Sequence, residues 1–164
     1  MTELEATLSA RQPEAELRVF RDELTMTIGA DALIATATLL RDDPDLAFDY
    51  LADLTGVDFF PRVPRFDVAY HLYSMKHNHR LRLEVPIDGE TPKLESVVSI
   101  WPAANWHERE VFDLLGIEFV NHPDLRRILM PEDWEGYPLR KDYPLLGHQD
   151  PVERWSGGRT NFEQ

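Results

Sequence analysis

Between Leu24 and Ile28 apolar and polar side chains alternate, so Leu24, Met26 and Ile28 fall on one face and predict a strand. Gly29 ends it, and Asp31 is placed to accept the free amides of a helix over about 32–40. Asp43-Pro44 reads as a second helix start, with proline where its missing donor costs nothing, and Ala47, Leu51 and Leu54 at helical spacing carry that helix to Gly56. Phe66, Val68, Tyr70 and Leu72 then alternate with Asp67, Ala69, His71 and Tyr73. Past the polar Lys76-His77-Asn78-His79, Leu81, Leu83, Val85 and Ile87 alternate with Arg80, Arg82, Glu84 and Pro86. The two runs predict an antiparallel hairpin with its tip in water and His77 and His79 as solvated turn residues. Val97 to Trp101 is apolar enough for a buried strand. No internal repeat or low-complexity segment interrupts the pattern.

From Asn105 the pattern turns helical. Asn105 and Glu108 have the spacing of a capping box, Val111, Phe112 and Leu115 share the inward face, and Gly116 is placed to end the helix. Glu108, Arg109, Glu110 and Asp113 are left as a charged set, with Arg109 one turn from Asp113 and able to pair with it. Prolines at 123, 131, 138, 144 and 151 then forbid a long helix or a central strand, yet the segment keeps the Trp, Tyr, Leu and Arg content that a disordered tail lacks. His122 precedes a proline, so its backbone is extended and its ring can anchor the turn into Asp124. Trp101 and Trp106 are assigned to the core, Trp134 and Trp155 to an interface. The expectation is an α+β domain over residues 1–130, a mostly antiparallel sheet packed with helices. An extended, proline-rich arm over 131–164 should order only against partners.

Composition narrows the chemistry. A chain of 164 residues makes one domain, and its lack of cysteine excludes disulfides, thiolate zinc sites, cysteine-ligated iron-sulfur clusters and cysteine nucleophiles. A net charge of −13 repels a phosphate backbone, which removes nucleic acid as a ligand. The acid excess lies in the first sixty residues and after residue 106, leaving the middle of the chain for the sheet. No apolar run reaches the roughly 18 residues a membrane span needs, and Met1-Thr2-Glu3-Leu4-Glu5 has no signal-peptide character, so a cytosolic location is expected.

Three constellations could carry chemistry. Glu108 and Glu110 are a conceivable acid and base pair, but two positions apart on a helix they point in different directions, and capping accounts for Glu108. His107, Glu110 and Asp113 recur every three residues, with His122 able to fold over them as a metal face, but the two-histidine spacing of a zinc helix is missing. No catalytic, cofactor-binding or metal-ligating residue is expected. Arg126-Arg127 and Arg140-Lys141 are too few for polybasic lipid recognition and suit bidentate pairing with partner carboxylates.

The run Glu108-Arg109-Glu110, Asp113-Leu114-Leu115, His122-Pro123, then Arg126 to Leu129, resembles the signature of the 30 kDa subunit family of respiratory complex I, NADH-quinone oxidoreductase. The stretch from Trp134 through Arg140, Lys141, Asp142 and Tyr143 to Leu145 matches that family's C-terminal pattern. The resemblance implies a peripheral scaffold subunit at the cytoplasmic face of a bacterial inner membrane. It would have no cofactor of its own and would dock on the large hydrogenase-like subunit and the iron-sulfur subunit of complex I. The complex would pass electrons from NADH through FMN and iron-sulfur clusters, on partner subunits, to quinone. With the chain ending at Gln164, the hydrogenase-like subunit would be a separate polypeptide. An equivalent subunit of a membrane-bound hydrogenase or ferredoxin-plastoquinone complex is the alternative within the same class. A small metal-dependent enzyme using His107, Glu110 and His122 is the alternative outside it.

Overall fold

A computed structural model describes residues 3–145. In it the alternating segments pair into one five-stranded sheet. In chain order the elements are α1 (Glu3–Arg11), β1 (Glu16–Phe20), β2 (Glu23–Thr27), a 3-10 turn (Ala30–Ala32), α2 (Leu33–Asp42), β3 (Tyr50–Asp58), β4 (Phe66–Ser74), β5 (His79–Ile87), β6 (Lys93–Glu95), α3 (Ala104–Leu115) and β7 (Glu118–Val120). The main sheet runs β1-β2-β5-β4-β3, antiparallel except where β2 lies parallel to β5. The predicted hairpin forms in register, with Val68 opposite Val85 and Leu72 opposite Leu81.

One sheet face is apolar and the other wet, as expected of an antiparallel sheet covered on a single side. Met26, Leu54, Phe66, Val68, Tyr70, Leu81, Leu83 and Val85 join Leu8 of α1, Leu33, Ala37 and Leu40 of α2, and Val111 and Leu115 of α3 in one core. Trp101 closes that core and donates its indole N–H to Phe48 O at 2.9 Å. A second, two-stranded sheet pairs β6 parallel to β7, and α3 is the crossover that parallel pairing requires.

The elements depart from the sequence reading at several places, the first being that Asp31 lies inside the 3-10 turn and caps neither that turn nor α2. The helix expected from Asp43 to Gly56 is one turn followed by β3; the Asp43 carbonyl receives the amides of Leu46 and Ala47, and Ala47 then leaves with φ 47°. A bulge between Leu51 and Asp53 puts Leu51 and Leu54 on the same sheet face three residues apart, a spacing that imitates a helix. The strand expected over 97–101 is a turn, buried by Val97, Ile100 and Trp101 instead of by sheet pairing. The hairpin tip does not project freely into water: Lys76 Nζ and His77 Nε2 reach Pro44 O at 2.7 and 2.8 Å, and His79 Nε2 reaches Leu46 O at 3.0 Å. Strand β1 and helix α1, both largely exposed, had no periodic signature.

Helix α3 lies against the edge strand β3 through Gly56. A Cβ there would stand 2.6 Å from Leu115 Cδ1 and 3.0 Å from Val111 Cγ1. Gly56→Ala therefore must part α3 from the sheet, and we expect it to cost about 1–3 kcal/mol in urea unfolding, the range for overpacking. An unchanged midpoint would show that the two elements give way without cost.

Candidate functional site

The charged residues of α3 are spaced so that one side of the helix carries Arg109 and Asp113 one turn apart, and both are buried. A carboxylate there needs donors, and the loop after β7 supplies them. Asp113 Oδ2 accepts the consecutive backbone amides of Ile128, Leu129 and Met130 at 3.0, 2.7 and 2.8 Å, while Arg127 Nη1 donates to Asp113 Oδ1 at 2.7 Å. Burial pushes the carboxyl pKa up, but the amides of Met130 and Leu129, the Arg127 guanidinium and the Ile128 amide together hold it below the ordinary aspartate value. Arg127 also donates to the carbonyls of Asp113, Trp134 and Gly136. Arg109 spans the other end of the loop, with Nε and Nη2 both 3.1 Å from the carbonyls of Arg126 and Arg127.

Further along, the arm supplies the donors that the end of α3 lacks. Leu139 N donates to Leu114 O at 3.0 Å and Arg140 Nε to Leu115 O at 2.7 Å, placing a cation at the negative end of the helix. Gly116 leaves the helix with φ 71° under the ring of Tyr137, which a Cβ would meet at 2.4 Å. Asp142 and the buried Asp58 share the Arg65 guanidinium, and Lys141 N donates to Asp58 Oδ2 at 2.8 Å. Burial works against ionisation of Asp58, but Arg65 and the amides of Lys141 and Phe60 outweigh it and hold the pKa at about 2. Tyr143 reaches Glu135 O, so residues 121–145 are tied to the body and to themselves.

Glu108 points elsewhere. The capping box does not form: the residue preceding α3 is Ala103, and the fully buried Glu108 accepts Ser96 Oγ at 2.6 Å and Val97 N at 2.8 Å, pinning the turn before the helix. The buried His122 ring lies 3.9 Å away. Its Nδ1 lies 3.0 Å from the Asp124 amide and its Nε2 3.1 Å from Asn105 O, contacts that anchor the turn as the sequence predicts. Burial pushes Glu108 up to about 7, against the weaker pull of Ser96 and Val97. Tyr70, whose buried hydroxyl has no hydrogen-bond partner among the described residues, is raised by burial and by Glu108.

The structure thus separates residues that the sequence grouped. Glu108, Arg109 and Asp113 are buried, and the expected Arg109–Asp113 pair is replaced by Arg127–Asp113. Glu110 is exposed; His107 faces Asp53 at 3.5 Å, and no group of three His, Asp or Glu side chains is arranged to hold a metal among the described residues. Pro123 and Lys141 are exposed, Trp134 half-buried, and Arg126 bonds Asp124 at the surface. Trp106, expected in the core, is 63% exposed. Trp155 lies outside the described residues. Asp58 and Arg65 were missed, since a lone Asp and Arg beside a loop give no signal until the arm folds onto them.

A family model described as the respiratory-chain NADH dehydrogenase 30 Kd subunit matches residues 26–149. The chain belongs to that family. A C-type subunit of NADH-quinone oxidoreductase from Roseiflexus castenholzii is 49% identical over 142 residues, covering 85% of this chain and 82% of the relative. Its counterpart from Hyphomonas neptunium is 47% identical over 152 residues, covering 92% and 75%. Among solved structures, a trypsin-resistant fragment (1-134) of Nqo5 superposes with a TM-score of 0.65 at 31% identity, covering 76% of this chain and 100% of its own. A chain of the membrane-bound sulfane sulfur reductase, an archaeal respiratory membrane complex, reaches 0.75 at 24% identity over 99% of this chain and 94% of its own, a likeness of fold. The matched span includes α3 and the loop that wraps it.

Removing the central carboxylate should be costly. Asp113→Asn should lose about 3 kcal/mol in urea unfolding, because it strands Arg127 beside three amides; a loss under about 0.5 kcal/mol would show that the loop holds without it. Glu108 keeps its proton in the folded state up to about pH 7 but releases it near 4.5 when unfolded. Its stabilisation is therefore complete below pH 4.5 and declines by about 3 kcal/mol as pH rises to 7. The stability difference between wild type and Glu108→Gln should change by that amount over this range, and a difference independent of pH would contradict the assignment.

Proposed function

We propose that the chain is a structural subunit of the peripheral arm of a proton-translocating NADH:quinone oxidoreductase, bound to the large hydrogenase-like subunit and the iron-sulfur subunit of the quinone-reducing module. It works at the cytoplasmic face of the inner membrane and leaves electron transfer to FMN, clusters and quinone on its partners. The observation that carries this reading is the family membership across residues 26–149, with relatives named as subunits of that enzyme matched over three quarters or more of their length.

The chemistry of the chain supports a scaffold role. No cysteine is present to ligate an iron-sulfur cluster, and Arg109, Asp113 and Arg127 are spent on holding the loop 121–130 against α3. Among the described residues no helix is long and apolar enough to cross a membrane, so attachment to the membrane would run through partner subunits. A carboxylate that is fully buried and accepts three backbone amides and a guanidinium is committed to holding the loop, which supports a structural role for Asp113.

Purification of the tagged full-length chain from its native membranes in mild detergent should recover the hydrogenase-like and iron-sulfur subunits by mass spectrometry, together with NADH-dependent quinone reduction. Hydrogenase or ferredoxin-linked partners without that activity would assign the chain to a sister complex. A chain recovered alone would overturn the reading.

A further inference from the structure

Helix α3 has one face that its own fold covers only in part: the Arg109 guanidinium lies 5.2 Å from the centroid of the Trp106 ring, and Leu114 is half-buried. Ala104, Glu108, Val111 and Leu115 face the core, and Arg109 and Asp113 lie under the loop. What remains is the stripe Trp106, Glu110, Leu114, spaced i, i+4, i+8. Trp106 is 63% exposed, and the arm adds Leu139, 56% exposed, at the wall of the adjoining cleft. An exposed tryptophan and a large exposed leucine on a helix fixed by the sheet, the loop and the arm mark a surface suited to meeting more than water.

The stripe borders a cleft of about 200 Å3 between α3 and the edge strand β3. Its walls include Leu54, Leu114 and Leu139, and it carries two carboxylates, Asp53 and Glu110. Glu110 is exposed and forms no ion pair among the described residues, while Asp53 meets only His107, at 3.5 Å. The volume lies below the roughly 300–1,000 Å3 of small-molecule pockets. Apolar walls with carboxylates match a long cationic side chain, whose methylene stem packs on leucine while its head pairs with acid.

We infer that the Trp106–Glu110–Leu114 face is a protein-docking surface that takes a basic and apolar segment of a neighbouring subunit, with one arginine or lysine seated between Asp53 and Glu110 and an apolar side chain covering Trp106. The inference rests on the proposed membership of a multisubunit complex and adds to it the place and chemistry of one contact. Tryptophan and a desolvated charge pair are the side-chain types that concentrate interface energy. Arg65 and Asp142, which anchor the arm, take no part in lining the cleft, so filling it leaves that anchorage in place.

The test replaces Glu110 by Arg, and separately Glu110 by Gln and Trp106 by Ala, in the full-length chain. Each variant is measured twice: as the fraction incorporated into the detergent-purified membrane complex, and as the melting temperature of the isolated chain. Glu110→Arg and Trp106→Ala should lower incorporation roughly tenfold or more, Glu110→Gln less so, with the isolated melting temperatures of the two Glu110 variants unchanged. Full incorporation of all three overturns the inference. So does a fall in the isolated melting temperature of the Glu110 variants, which would assign the cleft to a residue of the same chain. A concentration-dependent dimer abolished by Glu110→Arg would also overturn it, by assigning the face to a second copy. If the wild-type chain itself recovers no partner subunits, the proposed function fails first.

Discussion

A carboxylate placed where water cannot reach must be given donors, and Asp113 receives four from the loop after β7. The path of residues 127–130 follows from that demand. The three amides of residues 128–130 converge on one oxygen only if the loop doubles back along α3, and Arg127 then faces both Asp113 and the carbonyls of Trp134 and Gly136. From there Leu139 and Arg140 reach the open carbonyls of the helix end, and Asp142 reaches Arg65. A segment without helix or strand is fixed by side-chain hydrogen bonds in place of a backbone ladder.

This changes the meaning of the signature. A run such as Glu-Arg-Glu followed by Asp and paired arginines reads as a surface built to meet partners, because charged residues are seldom buried. Here Glu108, Arg109 and Asp113 are buried and Arg127 pairs with Asp113, while Trp106 and Glu110 are exposed and Leu114 is half-buried beside them. The charged residues shape the surface, and the intervening residues present it.

The central hairpin was legible because its alternation is complete over nine residues on each strand, and β2 and the body of α3 were legible because their own periods are equally clean. Gly116 was readable as a helix end because its left-handed conformation is one that a side chain resists. Strand β3 was not legible, since a bulge changed its period from two to three at the place where it mattered. The inward turn of Glu108 was hidden for another reason: a capping box and a tertiary hydrogen bond to Ser96 need the same residue in the same place. Long-range pairs such as Asp58 with Lys141, 83 residues apart, leave no trace in local pattern at all.

Residues 121–145 are held by the chain itself, with Asp113 fixing the loop at 127–130. Limited trypsin digestion of the full-length chain, read by mass spectrometry at Arg126, Arg127, Arg140 and Lys141, tests this most directly. Protection at all four sites is expected in the native chain, with rapid cutting at Arg126 and Arg127 in Asp113→Asn under conditions where the sheet remains folded. Cutting of the native chain at Arg126 or Arg127 as fast as in an unfolded peptide would contradict it.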